Sequence, residues 1–368
     1  MRQQMIHHSS IIDLQKKISP DIKHLVDLFI SPEGVGRRYL FGRNEHSEAL
    51  LKVIDIDGFV DDYAEQGTIW HGKPVVNSSN VPKQAIVVNC SMCNMPVTAI
   101  NKIKNLNVSG GLAYSDLNLS LPDLIPLPNF VADTRADFQQ NHSKWEALSS
   151  ALADDQSRRV LDDILSFRLT GDCKSMASYS FRPREQYFEN FLGLGTMDVF
   201  VDAGGYDGDT TEEFCRRYPG YKKVYLFEPS SSNLNKAQAR LKDFRDIEFI
   251  QLGLSDAEGK LQFNADGGSA SCISSSGSCQ INVTTLDQYV NDKVTFIKMD
   301  LEGWELKAMQ GAKKHIIEDK PKIAIAVYHN ASDFWQVFEY VTSLRRDYRV
   351  FLRHYTEGWS ETVMYCVP

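Results

Sequence analysis

The chain has 368 residues, 42% of them hydrophobic, and a formal net charge of -8. That length exceeds what one hydrophobic core usually fills, so two domains with an adapter between them are expected. The acidic balance excludes a broad basic footprint for a phosphate backbone, and nucleic acid is not an expected partner.

At the N-terminus, MRQQMIHHSS has no apolar core of a secretory signal, and no later apolar run approaches the roughly 20 residues that span a bilayer. The expectation is a cytoplasmic protein without a membrane span. Residues 1–36 carry helical patterning, IIDLQKKI and then IKHLVDLFI after Ser19-Pro20, and close at the Pro32, Gly34, Gly36 cluster. They read as a helical packing arm.

From Arg37 the texture becomes strand, turn and helix: RRYLF, GRNEHS, EALLKV, then the strand-like IDGFVDD and AIVVNC. This rhythm predicts a small Rossmann-like α/β domain over residues 37–133. Its first loop holds only Gly42, which is poor for a pyrophosphate, and Asp61 and Asp62 end the second strand where a ribose-binding acid would stand. The stretch IDGFVDD with HGKPVV resembles the small Rossmann-like domain that precedes the catalytic part of some bacterial sugar-modifying enzymes. The seven cysteines are scattered and odd in number, which suits reduced thiols. Cys90 and Cys93 form a CxxC without a second ligand pair, and Cys272 and Cys279 match no common metal spacing, so all read as structural or incidental.

Residues 134–191 are largely helical and polar and are expected to be an adapter. Their end, SYSFRPREQYF, sets Tyr179 and Tyr187 where they either pack or line the mouth of the next domain's pocket. From residue 192 the strands become regular: DVFVDAG, KVYLFEP, IEFIQLGLS, TFIKMD, KIAIAVYH, YRVFLRHY and ETVMYCVP. They predict an open, mostly parallel sheet whose last two strands form an antiparallel edge hairpin across TEGWS.

The first of these strands ends in DAGGYDGDTTEEF. Gly204, Gly205 and Gly208 allow a tight turn and close approach of a ligand, and Asp202, Asp207 and Asp209 surround the loop with negative charge. Such a loop repels a pyrophosphate and suits a ligand bearing a sulfonium and an ammonium. The second strand ends at Glu228-Pro229, suited to a carboxylate that accepts both hydroxyls of a ribose. The third ends in GLSDAEG, where Asp256 suits an adenine amine and backbone near Ser255 a ring nitrogen.

With LFEPS, VTTLDQY, FIKMDLEGWELKAMQGA and AVYHNASDFW, this pattern resembles the FkbM family of S-adenosylmethionine-dependent methyltransferases from about Asp198 to Val367. The resemblance implies a seven-stranded Rossmann-type methyltransferase sheet with a reversed last strand, S-adenosylmethionine as cofactor, and O-methylation, often of sugar or secondary-metabolite hydroxyls. It implies that Asp202, Gly204 and Gly208 hold the methionine end, Glu228 the ribose and Asp256 the adenine. Gly205, Tyr206, Asp207, Thr210, Pro229, Ser255 and Asp300 complete the expected cofactor contacts.

Methyl transfer to an alcohol needs alignment and a base. The candidates follow the fourth and fifth strands: Lys298, Asp300, Glu302 and His329. Strand alternation puts Lys298 and Asp300 on one face. His329 is favoured as base because its unperturbed pKa of about 6.5 suits proton transfer near neutrality, and Asp300 would position acceptor or donor. No metal is assigned, although Asp300, Glu302 and His329 could together take a divalent cation. The expected partner is a small-molecule or carbohydrate acceptor. The competing readings are a scaffold with a silent methyltransferase-like domain and a nicotinamide-dependent oxidoreductase working through residues 37–133.

Overall fold

The computed structural model describes residues 18–31, 37–264, 272–273 and 279–368. The chain divides into two compact units, one of Met1–His142, Leu161–Phe181 and Thr356–Ser360, the other of Ser143–Val160, Arg182–Tyr355 and Glu361–Pro368. The stretch read as an adapter is thus shared between both. No helix among the described residues is long and apolar enough to cross a membrane.

The first unit holds strands β1 (Arg37–Phe41), β2 (Gly58–Val60), β3 (Ile69–Trp70), β4 (Lys73–Val76), β5 (Ala85–Asn89) and β6 (Gly110–Ala113) in the order β3-β4-β2-β1-β5-β6. All neighbours run parallel except β3 and β4. The β3–β4 hairpin was not expected. Its two loop residues, His71 and Gly72, both have positive φ (48° and 73°), the conformation that matches the twist of a two-residue hairpin. Tyr39, Val60, Val87 and Ile103 pack on one side of the sheet. The helix Pro20–Ile30 begins where Ser19 caps the backbone N–H of Ile22, with Pro20 in the first turn, and it buries Val26 and Phe29. It packs on β6 and the helix Tyr114–Ser120, so it is part of this unit and not a separate arm. Most of IIDLQKKI lies outside the described residues.

In the second unit, β7 (Val199–Ala203), β8 (Lys223–Phe227) and β9 (Ile247–Ile250) continue in parallel from one to the next. A four-stranded sheet follows, formed by β10 (Gly253–Leu254), β11 (Gly259–Asn264), β12 (Cys272–Ile273) and β13 (Cys279–Thr284). The main sheet resumes with β14 (Phe296–Met299), β15 (Lys322–Ala326), β16 (Arg349–His354) and β17 (Thr362–Val367), giving the order β16-β17-β15-β14-β7-β8-β9. β17 is antiparallel to both its neighbours, as the expected reversed last strand requires. Each of the seven expected strands forms. The third is shorter than expected: it ends at Ile250, and GL of GLSDAEG leaves the large sheet to pair with Val283 and Thr284. β7, β8, β14 and β15 are buried almost throughout, and Phe200, Phe214 and Phe296 stack beneath the sheet.

Asp154 ties the helix Asp155–Thr170 to the edge strand of this unit. Its Oδ1 accepts from the backbone N–H of Ser157 at 2.7 Å and its Oδ2 pairs with Arg353 at 2.8 Å. Burial alone would raise the Asp154 carboxyl, but the hydrogen bonds from Arg353 and Ser157 pull it down to about 2. A depressed carboxyl stabilises the fold above the pKa of the unfolded chain and loses that contribution as pH falls through the folded value. Asp154→Asn is therefore expected to cost about 1–2 kcal/mol at pH 7, discounted because the side chain is a third exposed. Thermal unfolding of both proteins should show the difference shrinking as pH is lowered from about 4 towards 2; a gap that stays constant with pH would contradict the pairing.

Candidate active site

β7 ends at the centre of the large sheet, where the strand order reverses, and the loop Gly204–Gly208 lies at that carboxyl end. Gly204 and Gly208 have φ of 80° and 83°. A Cβ on Gly204 would stand 2.0 Å from the carbonyl oxygen of Asp300, so a side chain there would displace the loop. The backbone N–H groups of Gly204 and Gly205 both donate to the carbonyl of Phe227 at 3.0 Å, which fixes the loop to the end of β8.

Glu228 follows β8 and is 6% exposed. Its Oε2 accepts from the backbone N–H of Tyr206 at 3.0 Å and its Oε1 from that of Ser230 at 2.9 Å. Burial raises its pKa, and these two hydrogen bonds oppose the rise. Each oxygen keeps a lone pair for a further donor. Pro229 then ends the strand, and Ser230 caps the helix Ser231–Arg240.

Beneath the loop, Lys298 of β14 sits in register with Asp202 of β7. Its Nζ lies 3.1 Å from Asp202 Oδ1 and donates to the carbonyl of Gly204 at 2.7 Å. Thr211 donates to Asp202 Oδ2 at 2.7 Å. Burial would lower the Lys298 pKa, but Asp202 and Asp300 hold it above its ordinary value. Burial likewise pushes Asp202 up against the pull of Lys298. Asp207 pairs with Arg240 at 2.5 Å. The loop is therefore not the uncompensated acidic surface that its local sequence suggests: Lys298 lies ninety-four positions from Gly204 in the chain, and Arg240 thirty-three from Asp207.

Asp300, Glu302 and His329 converge at the carboxyl ends of β14 and β15. His329 Nε2 lies 3.5 Å from Asp300 Oδ1 and 3.3 Å from Glu302 Oε2, while Nδ1 lies 3.0 Å from Glu305 Oε1. Burial by itself would lower the pKa of this imidazole, but Glu305, Glu302 and Asp300 raise it well above 6.5. The three carboxylates thus favour the charged form of the ring, where the residue type led us to expect a neutral base. Tyr187, buried with φ 73°, donates to Asp300 Oδ2 at 2.8 Å. Gln186 Nε2 contacts both the Tyr187 hydroxyl at 2.9 Å and Glu361 Oε2 at 2.6 Å. Burial, with the like charge of Asp300, pushes the Glu361 carboxyl up to about 7.

Of the remaining expected contacts, Ser255 and Asp256 follow β10. Asp256 Oδ2 pairs with Lys307 at 2.7 Å, which lowers its pKa, and Ser255 Oγ accepts from Trp304 Nε1 at 3.1 Å. Thr210 opens the helix Asp209–Arg217 and lines a groove of about 550 Å³ with Arg184, Gln186, Phe188 and Glu213. Tyr187 joins the cluster, whereas Tyr179 bonds to Asp163 in the first unit. Sequence reasoning missed Glu305, Glu361 and Gln186. The sole local signal for Glu361 was an acid opening the last strand.

The first unit offers little to a dinucleotide. Asp61 pairs with Arg43 at 2.7 Å, and Asp62 accepts from the backbone of Ser78 and from Lys102. At the start of the helix Glu45–Leu51, which follows the Gly42 loop and where a phosphate would bind, Asn44 Oδ1 accepts from the backbone N–H groups of His46 and Ser47, each at 3.1 Å. Cys90, Cys173, Cys215 and Cys366 are buried thiols.

Residues 202–356 match the family model described as the methyltransferase FkbM domain, a span that contains Asp202, Glu228, Asp300 and His329. The chain carries a methyltransferase FkbM domain. Methyltransferase FkbM from Methylobacillus flagellatus KT, solved as a crystal structure, is similar over 97% of this chain and 96% of its own, with 23% identity and a TM-score of 0.75. At that identity the likeness speaks for the fold, and it extends beyond the FkbM domain. An rRNA methylase from Streptococcus thermophilus is 21% identical over 48% of this chain and 90% of its own, with a TM-score of 0.34, too low to bear on the site of the FkbM domain. No curated protein is significantly similar.

Proposed function

We propose that the FkbM domain uses S-adenosylmethionine to methylate a hydroxyl of a small, polar, sugar-like acceptor. One observation carries this reading: the Gly204–Gly208 loop with Glu228, and the Asp300–His329 cluster, stand at the carboxyl ends of adjacent strands β8, β7, β14 and β15. The residues fit the cofactor. Gly204 and Gly208 hold the loop in a tight turn of positive φ, Glu228 retains a lone pair on each oxygen for the two ribose hydroxyls, and Asp256 can accept from the adenine amine. When bound, the cofactor supplies a methyl group on a positively charged sulfur.

An acceptor hydroxyl that took this methyl group would give up its proton to a base of the protein. Asp300, oriented by Tyr187, is suited to hold the acceptor oxygen in line. Glu361 takes the proton in place of His329, because a carboxyl near pKa 7 is matched to the task whereas the surrounding carboxylates raise the imidazole well above its ordinary value. The groove beside Gln186 and Thr210, lined by arginine, glutamate and threonine side chains, suits a hydroxylated acceptor more than an apolar one.

Calorimetric titration with S-adenosylhomocysteine, beside NAD and a nucleotide-sugar, tests the reading. Micromolar binding of S-adenosylhomocysteine is expected; well-folded protein that ignores it would return the chain to a scaffold role. A screen of polyhydroxylated acceptors with methyl-labelled cofactor then identifies the substrate. With that substrate, the rate should rise with pH through about 7 as Glu361 loses its proton, and Glu361→Gln should lower kcat about a hundredfold and abolish that rise. A wild-type rate independent of pH around neutrality would remove Glu361 from the role.

A further inference from the structure

We infer that Asp300, Glu302 and His329 form a binding site for a divalent cation. The site stands on its own geometry; only its purpose, orienting an acceptor with neighbouring oxygens, rests on the methyltransferase reading.

β14 and β15 are parallel neighbours, Met299 opposite Ile325, so the residues that extend them carry Asp300 and His329 to the same edge. The turn Glu302-Gly303, with φ of 53° and 92°, brings a second carboxylate back over that edge. One donor atom from each of the three residues lies within 4.8 Å of the others. Oxygen and imidazole donors in this number suit a divalent ion such as Mn2+ and leave coordination positions for water or an acceptor.

A separate feature shows that the histidine is prepared for a ligand. The His329 side chain is 9% exposed, and although its nitrogens lie among carboxylate oxygens, neither makes a hydrogen bond of adequate geometry. Its Nδ1 faces Glu305, a carboxylate 1% exposed whose Oε1 is held by the backbone N–H of Leu301 at 2.7 Å. A carboxylate beside one ring nitrogen of a histidine favours the proton on that nitrogen by its charge and leaves the other nitrogen for a ligand. With the proton on Nδ1, Nε2 stands 3.5 Å from Asp300 Oδ1 and 3.3 Å from Glu302 Oε2, so a cation among these three atoms takes the place of the proton that the two carboxylates otherwise draw onto Nε2. Tyr187 donates to Asp300 Oδ2 at 2.8 Å and Tyr328 donates to Oδ1 at 3.5 Å, which leaves Oδ1 a second lone pair for the ion.

The test needs neither acceptor nor cofactor. Chelator-stripped full-length protein is titrated with Mn2+ while the electron paramagnetic resonance signal of the free ion is followed, and S-adenosylhomocysteine binding is measured on the same samples. One saturable Mn2+ per chain is expected. Glu302→Gln and His329→Ala should abolish it, and Glu305→Gln should weaken it about tenfold to hundredfold by releasing the ring, with circular dichroism confirming that each variant is folded. Mn2+ binding that depends on these residues upholds the site whether or not S-adenosylhomocysteine binds. Absence of binding to wild type, or binding unchanged in Glu302→Gln, overturns the site even if S-adenosylhomocysteine binds, and leaves His329 as an imidazolium clamped by carboxylates.

Discussion

Lys298→Met is expected to destabilise the protein by about 3–5 kcal/mol, the range for removing one partner of a buried ion pair. Lys298 and Asp202 are 4% and 0% exposed, and no solvent reaches Asp202 to replace the lost ammonium. The same change strips a donor from the carbonyl of Gly204, which stands at the bend of the loop. Chemical denaturation of wild type and variant measures the loss directly. The double variant Lys298→Met, Asp202→Asn should recover part of it, because no unpaired charge is then buried. A single-variant loss below about 1 kcal/mol, the range of exposed pairs, would show that water enters beneath the loop.

Glu228→Ala is expected to weaken S-adenosylhomocysteine binding by about a hundredfold to ten-thousandfold, from two hydrogen bonds to a charged acceptor at about 1.5–3 kcal/mol each. The variant also leaves the backbone N–H groups of Tyr206 and Ser230 without their carboxylate, so the loop loses a brace together with the ligand. Glu228→Gln separates the two effects: its amide retains one acceptor oxygen and should fall between wild type and alanine. Calorimetry on folded samples decides the matter, and a loss below tenfold in Glu228→Ala would deny the residue its place at the ribose.

The large sheet was legible because each of its strands is a run of β-branched and aromatic residues bounded by a glycine, proline or acidic turn, a signal confined to a few neighbouring positions. VFVDAGG, YLFEP and FIKMD show this most clearly, and the glycine loop, Glu228 and Asp300 were readable with them because a ligand crevice sits where such strands end. The small sheet β10–β13 was not legible: Gly253 and Leu254 form two residues of strand whose partners, Val283 and Thr284, lie thirty positions on, and no local pattern announces that pairing. The β3–β4 hairpin had a signal in His71-Gly72, a two-residue turn that tolerates positive φ.

What the sequence by itself determined is the seven strands of the large sheet, the tight turn of the Gly204–Gly208 loop and the residue types at the strand ends, since these follow from backbone sterics and hydrophobic periodicity. What the tertiary structure alone decided is charge. Sheet register set Lys298 against Asp202, helix packing brought Arg240 to Asp207, and the neighbouring ends of β14 and β15 gathered three carboxylates around His329. A side chain's protonation depends on burial and on charges within a few ångströms, and those distances are made by parts of the chain that are remote in sequence.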